Sequence, residues 1–555
     1  MDLIITVAVI AAILIGLFSI GIVTEKNREK NFRRKIKREF KEPLDASYSS
    51  WRLNALTGYF LRHQNEEYTI DDITWNDLNM DEFIRRFNHS YSSVGDEYLY
   101  YRLRTPFISE KDADFDRLEE TCKAFTEDEK LREDFQFDMA KLGRSGKFSL
   151  YSYLDFLADI PSDKPILTII DWLIYAALIA AMFFWFFPAL IGLIVWLIVN
   201  ISTYLGNKKK IEPYFISFEY ILKMMITAKN VCKHLNDTFT PEKETLKAAS
   251  KKLNRISSNN LFFLQSNASS AVGDLGNGLM DFFKMFLHLD TFLFYRMKKQ
   301  VENNTDAVDL LFETLGKLDF AVNIASYREI LPVYCVPEFT GESKVSFEEM
   351  VHPLLLDKGI PNSINANGGI LLTGSNASGK STFLRMVALN AVLAQSMHTV
   401  FAKEYQSGVF RVFTSMSLKD DLDSGESYYM AEIRSIKRIL DACAVKENKV
   451  LCFVDEVLRG TNTKERIAAG AEIMKSMQND NSICFAATHD IELASILVPE
   501  FTNYHFDEEM QGDDITFPYK LKDGYATSRN AIALLRIMGY PEDIVNRALK
   551  RANET

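Results

Sequence analysis

Gly374-Ser375-Asn376-Ala377-Ser378-Gly379-Lys380-Ser381-Thr382 sets two glycines, a lysine and adjacent hydroxyls at G-x-x-x-x-G-K-[ST] spacing. These residue types in this order suit phosphate. Glycine lets the backbone curl until successive N–H groups point at one anion, and a helix starting behind the loop adds its positive end. Lys380 is placed to reach the β- and γ-phosphates and Ser381 to hold Mg²⁺. A chance match in a Gly/Ser loop is the bland alternative, and it asks nothing of the flanks. Here the apolar run Gly369–Thr373 precedes the loop, and the apolar-periodic Phe383-Leu384-Arg385-Met386 follows it. Strand, loop and helix in that order predict a nucleoside triphosphate site.

A second run, Val450-Leu451-Cys452-Phe453-Val454-Asp455-Glu456, reads as a buried strand that ends in two carboxylates. Asp455 suits the Mg²⁺ shell and Glu456 the general base that takes a proton from attacking water. A pair of acids is a weak signal alone and a strong one downstream of a complete phosphate loop. A third run, Ser482–Thr488, ends at His489-Asp490. An imidazole at such a strand end is placed to hydrogen-bond a γ-phosphate, although a lone histidine is more often structural. Catalysis is therefore assigned to Glu456 and His489. Nucleotide binding falls to Gly374, Ser375, Asn376, Ala377, Ser378, Gly379, Lys380, Ser381 and Thr382, and the metal to Ser381 and Asp455.

The elements that position these groups sit in a 555-residue chain, long enough for several domains. A 47% hydrophobic content excludes a disordered or fibrous protein, and the net charge of −11 excludes a globally basic nucleic-acid binder. The six cysteines form no C-x-x-C pair, so neither a zinc site nor a disulfide framework is suggested. Cys452 and Cys484 read as small buried hydrophobes.

Two regions are apolar enough for a membrane. Leu3–Val23 is unbroken and about one bilayer long. A signal peptide competes with this reading, but basic residues before the run and a small-residue cleavage site after it are missing. Glu25–Lys41 then carries nine Lys/Arg against three Glu, which keeps the following chain in the cytoplasm and is also suited to anionic lipid. The second region, Pro165–Gly206, holds one charge, Asp171, with Pro188 near its middle. Two spans, about Ile166–Phe187 and Ala189–Leu205, form a hairpin in this reading, with Lys208-Lys209-Lys210 marking the cytoplasmic side again. A buried soluble hairpin is the competing reading. It sits poorly with a run nearly free of polar residues on every face. The expected location is the cell inner membrane, multi-pass, with the nucleotide site cytoplasmic and residues 3–23 and 166–205 in lipid.

Residues 42–160 and 211–335 show helical periodicity. Phe282, Phe283, Phe286, Leu289, Phe292 and Leu293 read as a packed helix interface. Lys243, Lys247, Lys251, Lys252 and Arg255 form a basic face, usually just solvated and less often a DNA contact.

Four ordered motifs resemble the ATPase domain of the MutS family, a branch of the ABC-type ATPases. They are Thr373–Thr382, Asp421–Glu432, Asp455-Glu456-Val457-Leu458-Arg459-Gly460-Thr461-Asn462-Thr463 and Ala487-Thr488-His489. His352-Pro353-Leu354 and Ile360-Pro361-Asn362 look like its entry, and Gly539-Tyr540-Pro541 like the start of its closing helices. More weakly, Ser93–Pro106 is similar to the start of the family's helical core, or lever. The resemblance implies an α/β ABC-type P-loop domain behind a mainly helical core, ATP and Mg²⁺ as ligands, and ATP hydrolysis. It implies a homodimer in which Ser427 of one copy reaches the γ-phosphate of the other. Asn376 matches the family's P-loop asparagine. The expected organisation is an anchor at 1–24, a helical core-like region at 25–165, a transmembrane hairpin at 166–206, a lever region at 207–335 and the ATPase domain at 336–555.

Departures from the family matter as much. A mismatch-reading domain or connector ahead of residue 42 and a nuclease-type extension after the closing helices are not expected, and the hairpin is expected to interrupt the lever near the family's DNA clamp. Leu458-Arg459-Gly460 replaces a Gly-x-Gly, and Thr527-Ser528-Arg529-Asn530 replaces the usual Ser-Tyr-Gly. Two functions are carried forward. One is a membrane-anchored MutS-like ATPase that closes as a dimer on double-stranded DNA in mismatch repair or recombination. The other is an ABC-type switch acting on a membrane or protein partner, with DNA binding lost. A transporter half fits poorly, because the spans offer no polar path.

Overall fold

The computed structural model describes residues 2–44, 48–64, 68–108, 115–158, 160, 166–211, 214–257, 288–375, 378–416, 428–459, 461–511, 514–526 and 539–554. Helices come first and strands only after residue 337. The expectation of a helical N-terminal region followed by an α/β domain is met.

Helix α1, Asp2–Glu39, is continuous through the apolar run and the basic segment after it. Its second half is amphipathic. Ile36 is buried, Arg33 Nη1 donates to Asp134 at 2.7 Å, and Lys37 Nζ pairs with Glu129 at 2.7 Å. Asp134 and Glu129 belong to a helix spanning Glu129–Leu142. Helix α2, Ser93–Arg104, starts where the Ser92 hydroxyl accepts from Gly95 N at 3.2 Å. Helix α3 spans Phe115–Glu127.

Two apolar helices follow. They are α4, Ile166–Ala181, and α5, Phe186–Ile211. The chain turns at Met182–Trp185, ahead of the site expected at Pro188. Proline sits in the first turn of α5, where its missing N–H has no intrahelical partner to lose. Among the described residues one stretch, Phe186–Gly206, is long and apolar enough to cross a membrane, while Ile169–Ala181 is apolar but shorter. The three spans expected from the sequence thus reduce to one candidate. The side chains of most of Leu3–Val23 lie outside the described residues.

Helices α6, Phe215–His234, and α7, Thr240–Ser257, lead to α8, Leu289–Glu302, and the long α9, Thr305–Ile330. On α7, Lys247, Lys251 and Lys252 are exposed, whereas Lys243 Nζ donates to Leu235 O at 3.1 Å. Phe282, Phe283 and Phe286 lie outside the described residues. Helix α9 is buried along most of its length and packs against α2, α3, α6 and α7.

The core around α2 contains acids far from water. Glu97 is 1% exposed. Its Oε2 accepts from Tyr59 N and Ser149 Oγ at 3.0 and 2.7 Å, and its Oε1 has no partner. Burial pushes this carboxyl up to about 8 and that of Asp319 up to about 7. Both folded values exceed the unfolded ones, so the native state holds the extra protons. Stability is full below about pH 4.5 and is lost as the pH rises through about 8, by at most about 1.4 kcal/mol per unit for each group. Denaturant unfolding at pH 6 and pH 9 is expected to show this decline, and Glu97→Gln is expected to flatten it. An equal slope in the variant would remove Glu97 as its source.

The strands are β1 Glu338–Phe339, β2 Val345–Met350, β3 Asn362–Ala366, β4 Gly369–Thr373, β5 Glu404–Ser407, β6 Arg411–Ser415, β7 Val450–Asp455, β8 Ser482–Ala487, β9 Phe501–Phe506, β10 Glu509–Gln511, β11 Asp514–Thr516 and β12 Leu521–Asp523. The main sheet runs β12-β9-β4-β8-β7-β6 and is parallel except for β12. Every residue of β4, β7 and β8 is buried, as an uninterrupted apolar run requires when helices cover both faces. The helices used below are α10 Lys380–Met397, α11 Tyr428–Cys443 and α12 Thr463–Met477. A smaller mixed sheet, β1-β5-β2-β3, lies beside the main one in sequence.

The helical region and the α/β domain meet at the last turn of α9. Arg328 donates to both Glu119 oxygens at 2.7 and 2.6 Å, to His398 O at 2.9 Å and to Thr399 Oγ1 at 2.9 Å. His398 caps the C-terminus of α10, the helix that begins at Lys380.

Candidate functional site

The site forms where neighbouring parallel strands end together. Leu372 of β4 pairs with Ala487 of β8, and Ala487 with Asp455 of β7. The loop after β4, the residues after β8 and the acids ending β7 therefore share one carboxyl-terminal sheet edge, the usual place for a ligand in such folds. Thr488 N donates to Leu372 O and Glu456 N to Ala487 O, tying the three edges together.

Backbone conformation explains the glycines of the loop. Gly374 has φ +142°, and a Cβ there would meet Phe506 O at 2.8 Å. Gly379 has φ +105°, and a Cβ would meet the Tyr519 ring at 2.9 Å. Neither position tolerates another residue without strain. Helix α10 then begins at Lys380, so its free N–H groups face the loop. Lys380 Nζ bonds Gly374 O and Ser375 O, both at 2.8 Å. Burial pulls its ammonium below the ordinary value, against the opposing pull of Glu456 and Asp455. Ser378 Oγ is buried with no partner among the described residues. A buried cation, an orphaned hydroxyl and the start of a long helix converge here, and together they fit a bound anion such as phosphate. Asn376, Ala377 and Ser427 lie outside the described residues.

Glu456 holds φ +61° at the strand end. Its Oε1 lies 3.2 Å from His489 Nδ1, and its Oε2 2.8 Å from Arg459 Nε. Arg459 Nη2 also donates to Asp455 O at 2.9 Å, and Arg459 N to Glu432 Oε1 at 3.1 Å. The structure thus brings Lys380, Asp455, Glu456 and His489 to one edge. It adds Arg459, which sequence reasoning left without a role although its offset of three from Glu456 was visible. Leu458, standing where Gly-x-Gly was expected, has φ +59° and is buried. A leucine in this left-handed conformation costs about 1–2 kcal/mol.

A cleft of about 420 Å³ opens beside the loop, lined by Ser378–Phe383, Glu456 and the less polar His352, Leu355, Ile360, Phe506 and Tyr519. Burial, with Arg385 nearby, lowers His352 to about 4, so the cleft meets a neutral imidazole at pH 7. The size and mixed lining suit a planar base next to its phosphates.

A family model for MutS domain V matches residues 370–555, from β4 to the end of the chain. The C-terminal region of the chain is therefore similar to MutS domain V. Its curated relatives include the DNA mismatch repair protein MutS of Pseudothermotoga lettingae, 32% identical over 248 residues, which are 43% of this chain and 30% of that protein. The proteins of the same name from Thermotoga maritima and Streptococcus mutans are 30% identical over 269 and 273 residues. Each of these alignments covers 47% of this chain, and 33% and 32% of those two proteins. The chain therefore spans about a third of the length of the curated MutS proteins it matches. MutS likeness resides in the part that carries the cleft, while the hairpin α4–α5 lies ahead of the matched domain.

Proposed function

We propose that this MutS-like chain binds and hydrolyses Mg²⁺-ATP, and that the cycle drives closure of a homodimer on double-stranded DNA beside a membrane that holds residues 3–23 and 166–205. The observation that carries the reading is the shared edge of β4, β8 and β7, where Lys380, Asp455, Glu456 and His489 converge.

In this reading the loop amides and Lys380 bind the phosphates, and Ser381 and Asp455 hold the metal. Mg²⁺, when bound, neutralises charge on the phosphate oxygens. Glu456 orients a water against the γ-phosphate and takes its proton. His489, hydrogen-bonded to Glu456, fixes that carboxylate and is placed to contact the phosphate. Arg459 pairs with both acids. Ser427 of a second copy completes the site.

The second reading keeps the ATPase cycle and replaces DNA by a membrane or protein partner. The exposed apolar surface of α4–α5, which interrupts the helical region, favours it. Steady-state ATPase rates of the detergent-solubilised chain, with and without duplex and branched DNA at low and moderate salt, separate the two. Stimulation that weakens with salt is expected if DNA is the partner. A flat response over intact basal hydrolysis excludes DNA. Lys380→Ala is expected to abolish the basal rate, and a surviving rate would move the active site elsewhere.

A further inference from the structure

We propose that the hairpin α4–α5 is re-entrant: it enters the bilayer from one side and ends inside the hydrocarbon, with its aromatic tip packed among acyl chains. The proposal rests on the membrane reading above and replaces a crossing hairpin by one that does not emerge. Three observations carry it.

The first is the composition of the turn. Met182-Phe183-Phe184-Trp185-Phe186-Phe187 contains no charged, amide or hydroxyl side chain. Phe183, Phe184, Trp185 and Phe187 are 88, 81, 70 and 74% exposed. A turn in water is built from Gly, Asn, Asp, Ser or Pro, whose side chains satisfy or relax the local backbone. Five successive bulky aromatics and a methionine do neither.

The second is the backbone. All four amides of the turn are satisfied within the hairpin. Met182 N donates to Leu178 O at 3.2 Å, Phe183 N to Ala180 O at 3.2 Å, and Phe184 N and Trp185 N to Ala181 O at 3.0 and 2.8 Å. Pro188 has no N–H to satisfy. Unpaired backbone donors are prohibitive in lipid and harmless in water. The turn residues Met182–Trp185 leave no donor unpaired, and that suits lipid.

The third is length. Polar groups collect at one level near the base of the hairpin. His288, at the start of α8, places Nδ1 4.0 Å from Asp171 Oδ2 of α4 and Nε2 3.1 Å from Asn200 O of α5. Asn200 Oδ1 is buried without a partner. Burying these groups at the bilayer centre is costly, and the headgroup level accommodates them. Beyond that level α4 has only Trp172–Ala181 and α5 only Phe186–Val199. These segments are about 15 Å and about 21 Å long at helical rise, against a hydrocarbon core of ~30 Å. Lys208-Lys209-Lys210 follows within the same helix, with Lys209 exposed and suited to anionic headgroups on the entry side.

The test uses the full chain with Cys232→Ser and Cys335→Ser, which removes the two cysteines that are not fully buried, and Phe184→Cys carrying an environment-sensitive fluorophore. Phe183→Cys and Phe187→Cys provide second and third probe sites, and unchanged ATPase activity reports an intact fold. In vesicles of phosphatidylcholine and phosphatidylglycerol, nitroxides deep in the acyl chain are expected to quench about twofold more than shallow ones, and iodide on either side is expected to leave the signal unchanged. Iodide quenching from the side opposite the ATPase domain, with lipid quenching confined to shallow nitroxides, would mean a crossing hairpin with a wet turn and overturn the proposal. Iodide quenching with no lipid quenching at all would overturn the membrane reading itself.

Discussion

Glu456→Gln is expected to slow ATP hydrolysis by roughly 10²- to 10⁴-fold, the usual contribution of a positioned general base, while nucleotide binding persists. The carboxylate sits at the end of β7 in a left-handed conformation, 3.2 Å from His489 and 2.8 Å from Arg459. The amide keeps the size and still reaches both neighbours. It cannot take a proton from water. Rapid-quench measurement of a single turnover, together with binding of a fluorescent ATP analogue, checks both halves. A chemical step at the wild-type rate would take the base role from Glu456. Loss of binding instead would make it a structural anchor for Arg459 and the loop. Because the loss should fall on the chemical step, the variant is also expected to accumulate in the nucleotide-bound, closed dimer.

Arg328→Ala is expected to destabilise the chain by roughly 3 kcal/mol, the low end for breaking a buried ion pair. The low end applies because the Glu119 side chain is 31% exposed while that of Arg328 is 10% exposed. Four hydrogen bonds are lost at once, and two of their acceptors cap α10. Burial pushes the Glu119 carboxyl up, but hydrogen bonds from Arg328 and His398 outweigh it and hold it at about 2. Its folded value lies below the unfolded one. The stabilisation is therefore present above about pH 4.5 and is lost as the pH falls through about 2. The gap between wild type and variant in denaturant midpoint is expected to narrow over that window. A constant gap would assign the loss to packing alone. Arg328→Lys is expected to rescue little, since one ammonium cannot reproduce a planar fork that meets three partners. A joint at this end of α10 also links the helical region to the helix that starts at Lys380. The variant is therefore expected to weaken any DNA response more than basal hydrolysis.

The chemistry of the candidate site was legible because it is local. The glycines of the loop, the apolar runs that force β4, β7 and β8 into a buried sheet and the acids that end β7 are all contiguous in sequence, and strand–loop–helix order needs no long-range information. The two apolar regions were legible as composition. Their geometry was not. The turn lies at Met182–Trp185 because the α4 backbone closes on Leu178, Ala180 and Ala181, and Pro188 is tolerated one turn later.

What the sequence by itself determined, then, is the resemblance of its C-terminal region to MutS domain V, the strand–loop–helix order at the phosphate loop, the acids that end β7, and the apolarity of two regions. Each is encoded by residues adjacent along the chain. Only the tertiary structure decided that Arg459 holds both acids, that Leu458 occupies a glycine's conformation, that Tyr519 lies against Gly379 and that Arg328 joins α9 to α10. The tertiary structure also set His288 beside Asp171 and Asn200, which marks where the polar base of the hairpin ends. These contacts unite residues distant along the chain, and their energies come from burial and shared hydrogen bonds that no local pattern records.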